Sequence, residues 1–300
     1  MSDIKLFTLA GNTLTQLTSS SSPLEKALQT LFESNLETLL GVRFLASEFS
    51  TTNGGRMDTI GIDENNYPVI IEYKRVSSEN VINQGLFYLD WLMDHKGDFE
   101  LLVRDRYGKD VADEIEWSAP RLICIAADFN KFDSHAVKQM SRNIDLISYQ
   151  RFGDELLLLD QLTTVSTKAS TATSFSNVKS SKYKTNSQSL ADADENLANL
   201  YSDIETYMIS LGDDITQKTL DKYFAFKRIK NFACVEIKTQ LNVIRIYLKV
   251  DPTSIELEEG FSRDVRNVGH YGTGDLEVTI KTHQDLERVK PLIEKSYEVS

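Results

Sequence analysis

The chain alternates between helical stripes of leucine and short β-type runs. Leu24, Leu28, Leu31, Leu36 and Leu39 mark one buried helical face, and the punctuation around them predicts its ends. Ser22 is placed as the N-cap, Pro23 as the first helical residue, Glu25 as the capping-box acid and Gly41 as the stop. A strand pair, Ile4 to Leu9 and Thr13 to Thr18, precedes this helix around Ala10-Gly11-Asn12. Two strands follow it, Arg56 to Asp63 and Pro68 to Arg75, joined by the turn Glu64-Asn65-Asn66-Tyr67. Helices are expected from about Glu79 to Lys96 and from Phe99 to about Trp117. A buried strand Arg121 to Ala127, a helix near His135 to Arg142 and a strand Ile144 to Arg151 complete the first half. The order β-β-α-β-β-α-α-β-α-β predicts an α/β domain with a mixed sheet over residues 1–162.

From Thr163 to Ser189 the chain is dominated by Ser and Thr, with four lysines and no acid. Such a segment cannot bury enough apolar surface to offset its ordering entropy, so residues 163–189 are expected to be a linker. Residues 190–300 read as a smaller α+β domain. A helix is expected from Ala191 to Leu211 and a shorter one from Thr216 to Phe224. Strands at Ala233 to Thr239, Val243 to Val250 and Leu276 to Lys281 and a helix from Gln284 to Tyr297 follow.

The 33 basic and 45 acidic residues give a net charge of −12, distributed as −10, +4 and −6 over the three regions. There is no general basic footprint, which argues against a protein whose main task is coating DNA. A nuclease remains open, because its metal site is itself built from acids. Cys124 and Cys234 sit in apolar strand-like runs and are expected as reduced, buried thiols. With His95, His135, His270 and His283 they form no zinc spacing. No apolar run approaches a membrane span and the N-terminal run is too short for a signal peptide, so a cytoplasmic location is expected.

The informative stretch is GGRMDTIGIDENNYPVIIEYKR, residues 54–75. Side chains alternate along a strand, so Glu72 and Lys74 share a face with Ile70. A hairpin symmetric about Asn65 sets Asp58 opposite Glu72, with Cβ atoms on the order of 5 Å apart. Two facing carboxylates repel, and a divalent cation between them removes the conflict. Lys74 would then orient or deprotonate an attacking water, or stabilise negative charge in the transition state. Arg56, two residues before Asp58, points to the same face, where it could bind a phosphate. The alternative is a surface hairpin with ordinary polar residues. The apolar run Pro68-Val69-Ile70-Ile71 ending in charge argues against it.

These residues closely resemble the motifs of the PD-(D/E)XK nuclease superfamily, with Met57-Asp58 in the PD place and Glu72-Tyr73-Lys74 as ExK. More specifically, the stretch resembles the C-terminal nuclease domain of NucS-type endonucleases. Gln84 and Tyr88 fit the QxxxY motif of RecB-type members, four apart and so on one helical face. The resemblance covers roughly residues 20–150. It implies a restriction-endonuclease-like sheet flanked by helices, and Mg²⁺ or Mn²⁺ held by Asp58 and Glu72. A third acid on the first helix is also implied; the helical wheel favours Glu25 over Glu33, which it places on the polar face. Lys74, Gln84 and Tyr88 would complete the catalytic group, with Arg56 and Arg75 contacting nucleic acid.

The activity implied is hydrolysis of DNA phosphodiester bonds, in repair or in defence against foreign DNA. The alternative is a non-catalytic module that keeps the fold to bind nucleic acid or protein. A membrane-transport accessory is disfavoured by the missing apolar span. A homodimer is expected, because two-strand cleavage needs two sites. Phe87 and Trp91 are expected in the core. The segment Val268 to Val278, with Phe261 to Asp264, resembles a small domain of uncharacterised function appended to such nucleases. Its glycines lack the Lys-Ser/Thr of a P-loop. His270, Arg263 and Arg266 either line a binding surface there or stabilise a turn.

Overall fold

The computed structural model describes residues 4–20, 24–75, 80–165 and 184–300. The chain divides into two units, Met1–Ser170 and Thr171–Ser300.

The first unit contains β1 (Leu6–Ala10), β2 (Thr13–Leu17), β3 (Ser19–Ser20), α1 (Glu25–Glu33), α2 (Leu36–Leu40), β4 (Val42–Ser50), β5 (Arg56–Asp63) and β6 (Pro68–Lys74). It continues with α3 (Asn80–Asp94), α4 (Lys96–Tyr107), α5 (Lys109–Asp113), β7 (Arg121–Ala126), α6 (Lys131–Gln139), β8 (Asn143–Phe152) and β9 (Leu156–Val165). β1 and β2 form a hairpin of their own. The main sheet runs β4-β5-β6-β7-β8-β9, with β3 pairing the far end of β8. β6, β7 and β8 are parallel and the remaining neighbours antiparallel, which is the expected mixed sheet. Strand alternation divides its two faces between helices. Ile60, Ile70, Leu122 and Cys124 pack with Val81, Ile82, Leu89 and Leu92 of α3. Tyr73, pointing the other way, meets Phe32 of α1 edge-on at 5.7 Å.

The single helix expected to end at Gly41 is two short ones. Ser34 and Asn35 turn their side chains back onto the carbonyls of Thr30 (2.8 Å) and Leu31 (2.8 Å), the local competition that weakens helix interiors. The buried face is correspondingly Leu28, Gln29, Phe32, Leu36 and Leu40, while Leu24 and Leu31 are exposed. Gly41 does end α2, with φ +63°. Ser22 and Pro23 lie outside the described residues, and α1 begins after Leu24 with no side-chain cap. The helix expected from Phe99 breaks at Gly108, where φ is +89°. β4 and β9 are strands that the hydrophobic pattern did not reveal. β9 carries Thr163 to Val165 into the sheet, so the expected linker starts inside a strand.

The second unit contains α7 (Asn186–Ala191), α8 (Glu195–Ser210), β10 (Thr216–Thr219), β11 (Phe224–Lys227), β12 (Asn231–Lys238), β13 (Val243–Leu248), β14 (Ser262–Asp264), β15 (Leu276–Ile280) and α9 (His283–Glu298). Its antiparallel sheet runs β10-β11-β12-β13-β15-β14. Ile204 and Met208 of α8 and Val289 and Ile293 of α9 pack with Phe226, Val235, Ile246 and Val278 of the sheet. The short helix expected at Thr216 to Phe224 is instead two strands, because the segment pairs with β12 through β11. Pairing with a distant strand overrides weak local helix propensity. α7 takes up the last residues of the expected linker. Its Asn186 is buried, donating to the Val235 carbonyl (3.1 Å) and accepting from the Ile237 N–H (2.9 Å). Both cysteines are free and buried. No helix among the described residues is long and apolar enough to cross a membrane.

Candidate active site

The β5–β6 ladder pairs Ile62 with Pro68, Gly61 with Val69, Ile60 with Ile70 and Thr59 with Ile71. One step further, the same register sets Asp58 against Glu72, as the symmetry about Asn65 predicts. The backbone ladder ends there, and the two carboxylates take its N–H groups. Asp58 N–H donates to Glu72 Oε1 (3.2 Å), and Tyr73 N–H donates to Asp58 Oδ2 (3.0 Å). Glu72 is 0% exposed. Its second oxygen, Oε2, is buried and has no hydrogen-bond partner.

Burial, reinforced by the neighbouring Asp58 charge, pushes the Glu72 carboxyl up to about 8. Burial also raises Asp58, against the pull of the Tyr73 N–H. At neutral pH the pair therefore holds a proton, which a cation at the Glu72 oxygens would displace.

Lys74 follows on the same strand face, with Nζ 3.6 Å from Glu25 Oε2. Glu25, half-exposed at the start of α1, also accepts the Arg75 N–H (3.4 Å). It pairs with the lysine, and among the described residues no three His, Cys, Asp or Glu side chains converge as a metal cluster. Glu33 is not on the solvent face where the wheel put it. It follows Phe32 on the short α1 and reaches the sheet, accepting from Thr59 Oγ1 (2.6 Å) and Gln29 Nε2 (2.9 Å). It thereby sits on the sheet face opposite Glu72.

The QxxxY pair acts on the start of β5. Gln84 Nε2 donates to the Tyr88 hydroxyl (3.1 Å), which accepts the Arg56 N–H (3.1 Å). The Tyr88 ring lies against Gly55, where an added Cβ would come within 2.4 Å of it. The glycine is required for that approach. Trp91, in the core, donates to Thr52 Oγ1 (2.9 Å) and steadies the same loop. Phe87, expected in the core, is 49% exposed. Its position one residue before Tyr88 turns it off the buried face of α3. The Arg75 residue is exposed beyond the end of β6.

One residue of this group was missed from the sequence. Ser47 pairs with Thr59 and Phe49 with Met57, so Glu48 lies opposite Asp58 on the other side of β5. Three acids, Glu48, Asp58 and Glu72, thus occupy one row across three strands. Glu48 Oε2 is 2.6 Å from Arg56 Nε, and Lys26 Nζ donates to Glu48 Oε1 (2.9 Å). The signal was available: positions 48 and 58 are symmetric about Asn53 in the Thr-Thr-Asn-Gly-Gly loop, as 58 and 72 are about Asn65.

In the second unit His270 and Arg266 line one pocket together with Lys249, Asp251 and Asp275. His270 stacks on Tyr247 at 4.6 Å, Arg263 bonds Glu277 (2.8 Å) and Arg266 bonds Asp264 (2.6 Å).

An uncharacterized protein from Haemophilus influenzae is 31% identical over 306 residues, covering 98% of this chain and 99% of its own. The chain belongs to the family of that protein. A domain of unknown function (DUF5655) matches residues 187–300. Three solved structures are similar to part of the chain. A repair endonuclease from Pyrococcus abyssi has a TM-score of 0.30 at 16% identity, over 44% of this chain and 50% of that one. EndoMS in apo form gives 0.28 at 16%, over 45% and 49%. An EndoMS–dsDNA complex gives 0.29 at 15%, over 48% and 64%. The chain thus spans about half the length of the first two structures.

Proposed function

We propose that the chain is a divalent-metal-dependent nuclease that hydrolyses DNA phosphodiester bonds at the β5–β6 carboxylates. The observation that carries this reading is the buried Glu72 Oε2, which has no partner and belongs to an acid facing Asp58 across the ladder. A buried carboxylate oxygen left without a donor costs free energy. A hard cation satisfies it, and the acid pair suits Mg²⁺ or Mn²⁺, which use one or two carboxylates and keep several waters. Asp58 and Glu72 would hold the ion, which supplies water activation and neutralises charge on the phosphate. Lys74, on the same face, aligns the attacking water or stabilises charge in the transition state. Gln84 and Tyr88 fix the start of β5 and with it the placement of Asp58. In this reading the first unit is a restriction-endonuclease-like sheet, DNA is the partner, and a homodimer places two sites for two strands.

The test is a panel of labelled DNAs and RNAs incubated with Mg²⁺ and Mn²⁺. Asp58→Ala and Glu72→Ala should abolish cleavage, and Lys74→Ala should keep metal binding yet lose most of the rate. Millimolar Mn²⁺ should raise the melting temperature of the parent, following RT ln(1 + [L]/Kd), and leave the two acid variants unmoved. Binding of DNA by the parent without cutting would favour the non-catalytic module instead.

A further inference from the structure

Glu48 has a backbone conformation that its surroundings do not explain. Its φ is +54°, left-handed for a residue with a Cβ, although Ser47 and Phe49 on either side keep their pairing with β5. Such a conformation costs on the order of 1–3 kcal/mol. In this geometry its carboxylate ties together two elements. It forms an ion pair with Arg56 on β5, its Oε2 2.6 Å from Nε, and accepts from Lys26 Nζ on α1 (2.9 Å). Lys26 also donates to Gln29 Oε1 (3.2 Å), and Gln29 Nε2 donates to the Asp58 carbonyl (2.7 Å) and to Ser47 Oγ (3.1 Å). The Lys26 hydrogen bond holds Glu48 below the usual carboxylate range, so it is charged at neutral pH.

Stability does not account for the arrangement. Exposed ion pairs contribute about 0–1 kcal/mol each, and Lys26 and Arg56 are 60% and 64% exposed. Two such pairs barely offset the strain, so the geometry calls for another purpose. The group carries two cations to one acid, and Glu48 occupies only the Nε side of the guanidinium. The two terminal nitrogens of Arg56 have no partner among the described residues. They are free for the bidentate contact that arginine makes with phosphate. Arg56 stands two residues from Asp58 on one strand face, roughly 6.6 Å along β5, which puts it beside the carboxylates without competing for them.

We propose that Glu48 is a positioning residue that holds Arg56 and Lys26 as a clamp for a DNA backbone phosphate adjoining the scissile one. This rests on the nuclease reading and adds to it a subsite with its own residues.

The test uses the full chain carrying Glu72→Gln, without metal. Anisotropy of fluorescein-labelled single-stranded, duplex and forked DNA is followed between about 50 and 200 mM salt. Arg56→Ala and Lys26→Ala should each weaken binding about five- to tenfold and lower the log–log salt slope by about one. Glu48→Gly, which relieves the left-handed strain, should melt at or above the parent temperature and still lose about fivefold in affinity. Affinity and slope unchanged in the cation variants, on DNA that the parent binds, would overturn the clamp and leave the nuclease reading standing. A Glu48→Gly protein that melts earlier would assign Glu48 a structural role and likewise overturn it. If the parent neither binds nor cuts any of the three DNAs, the nuclease reading fails and the clamp with it.

Discussion

β5 carries an acid at each end, and the two ends solve the problem of buried carboxylates in opposite ways. At one end Asp63 and Asp145 bracket the buried guanidinium of Arg121, at 2.9 and 2.6 Å. Burial alone would lower the Arg121 pKa, but the two acids outweigh it and raise it. Asp63 spends its other oxygen on the turn, accepting from the N–H groups of Asn65 (2.9 Å) and Tyr67 (3.0 Å). That end is closed. At the other end Asp58 and Glu72 face each other, the nearby lysine is turned toward Glu25, and one Glu72 oxygen is left bare. The same strand thus holds a completed ion cluster and an incomplete one. A buried charge that has found its counter-ion serves the fold, and one that has not is available to a ligand.

The largest effect should come from opening the closed end. Arg121→Met leaves two buried acids without their cation and should cost about 3–5 kcal/mol in urea unfolding. A near-neutral result would show that the two ends do not differ as described.

The open end should respond in the other direction. Glu72 takes its proton more tightly folded, near 8, than unfolded, near 4.5. Its contribution is therefore harmless at low pH and becomes progressively destabilising as pH rises from about 4.5 to about 8. Glu72→Gln should be more stable than the parent at pH 9, with the gain shrinking through that window and absent below it. Parallel stability–pH curves for the two proteins would refute the shift.

A smaller effect belongs to the support of the open end. Tyr88→Phe removes the acceptor of the Arg56 N–H. It should cost about 1 kcal/mol in unfolding free energy and slow cleavage less than the loss of either acid does.

The hairpin that builds the open end was legible because its turn is short and symmetric. Asp63, Asn65 and Asn66 specify a tight reversal, with Asn66 at φ +62°, and a tight reversal dictates register. From register follow the facing acids and the shared face of Lys74. What lay on β4 stayed hidden. The segment Val42 to Ser50 is half-buried on both faces, so it shows no clean alternation, and Glu48, between Ser47 and Phe49, reads as a surface acid. Thr216 to Phe224 failed for a related reason: its strands exist by virtue of β12, which begins several residues later. The helix break at Ser34-Asn35 was in principle readable, since both residue types prefer to bond their own backbone.

Asn186 bears on how the second unit can travel. Its side-chain amide imitates a strand residue, supplying β12 with a donor and an acceptor where no further β11 residue lies alongside. The matched domain of unknown function begins at residue 187, one position after this amide. Seen as a module open to recombination, the sheet is sealed from outside that boundary, and a breakpoint at 187 would discard the seal. A transplanted segment starting at 185 should outlast one starting at 187 by about 1–3 kcal/mol, so the smallest portable form of this domain includes the first residue of α7 and its cap, Thr185.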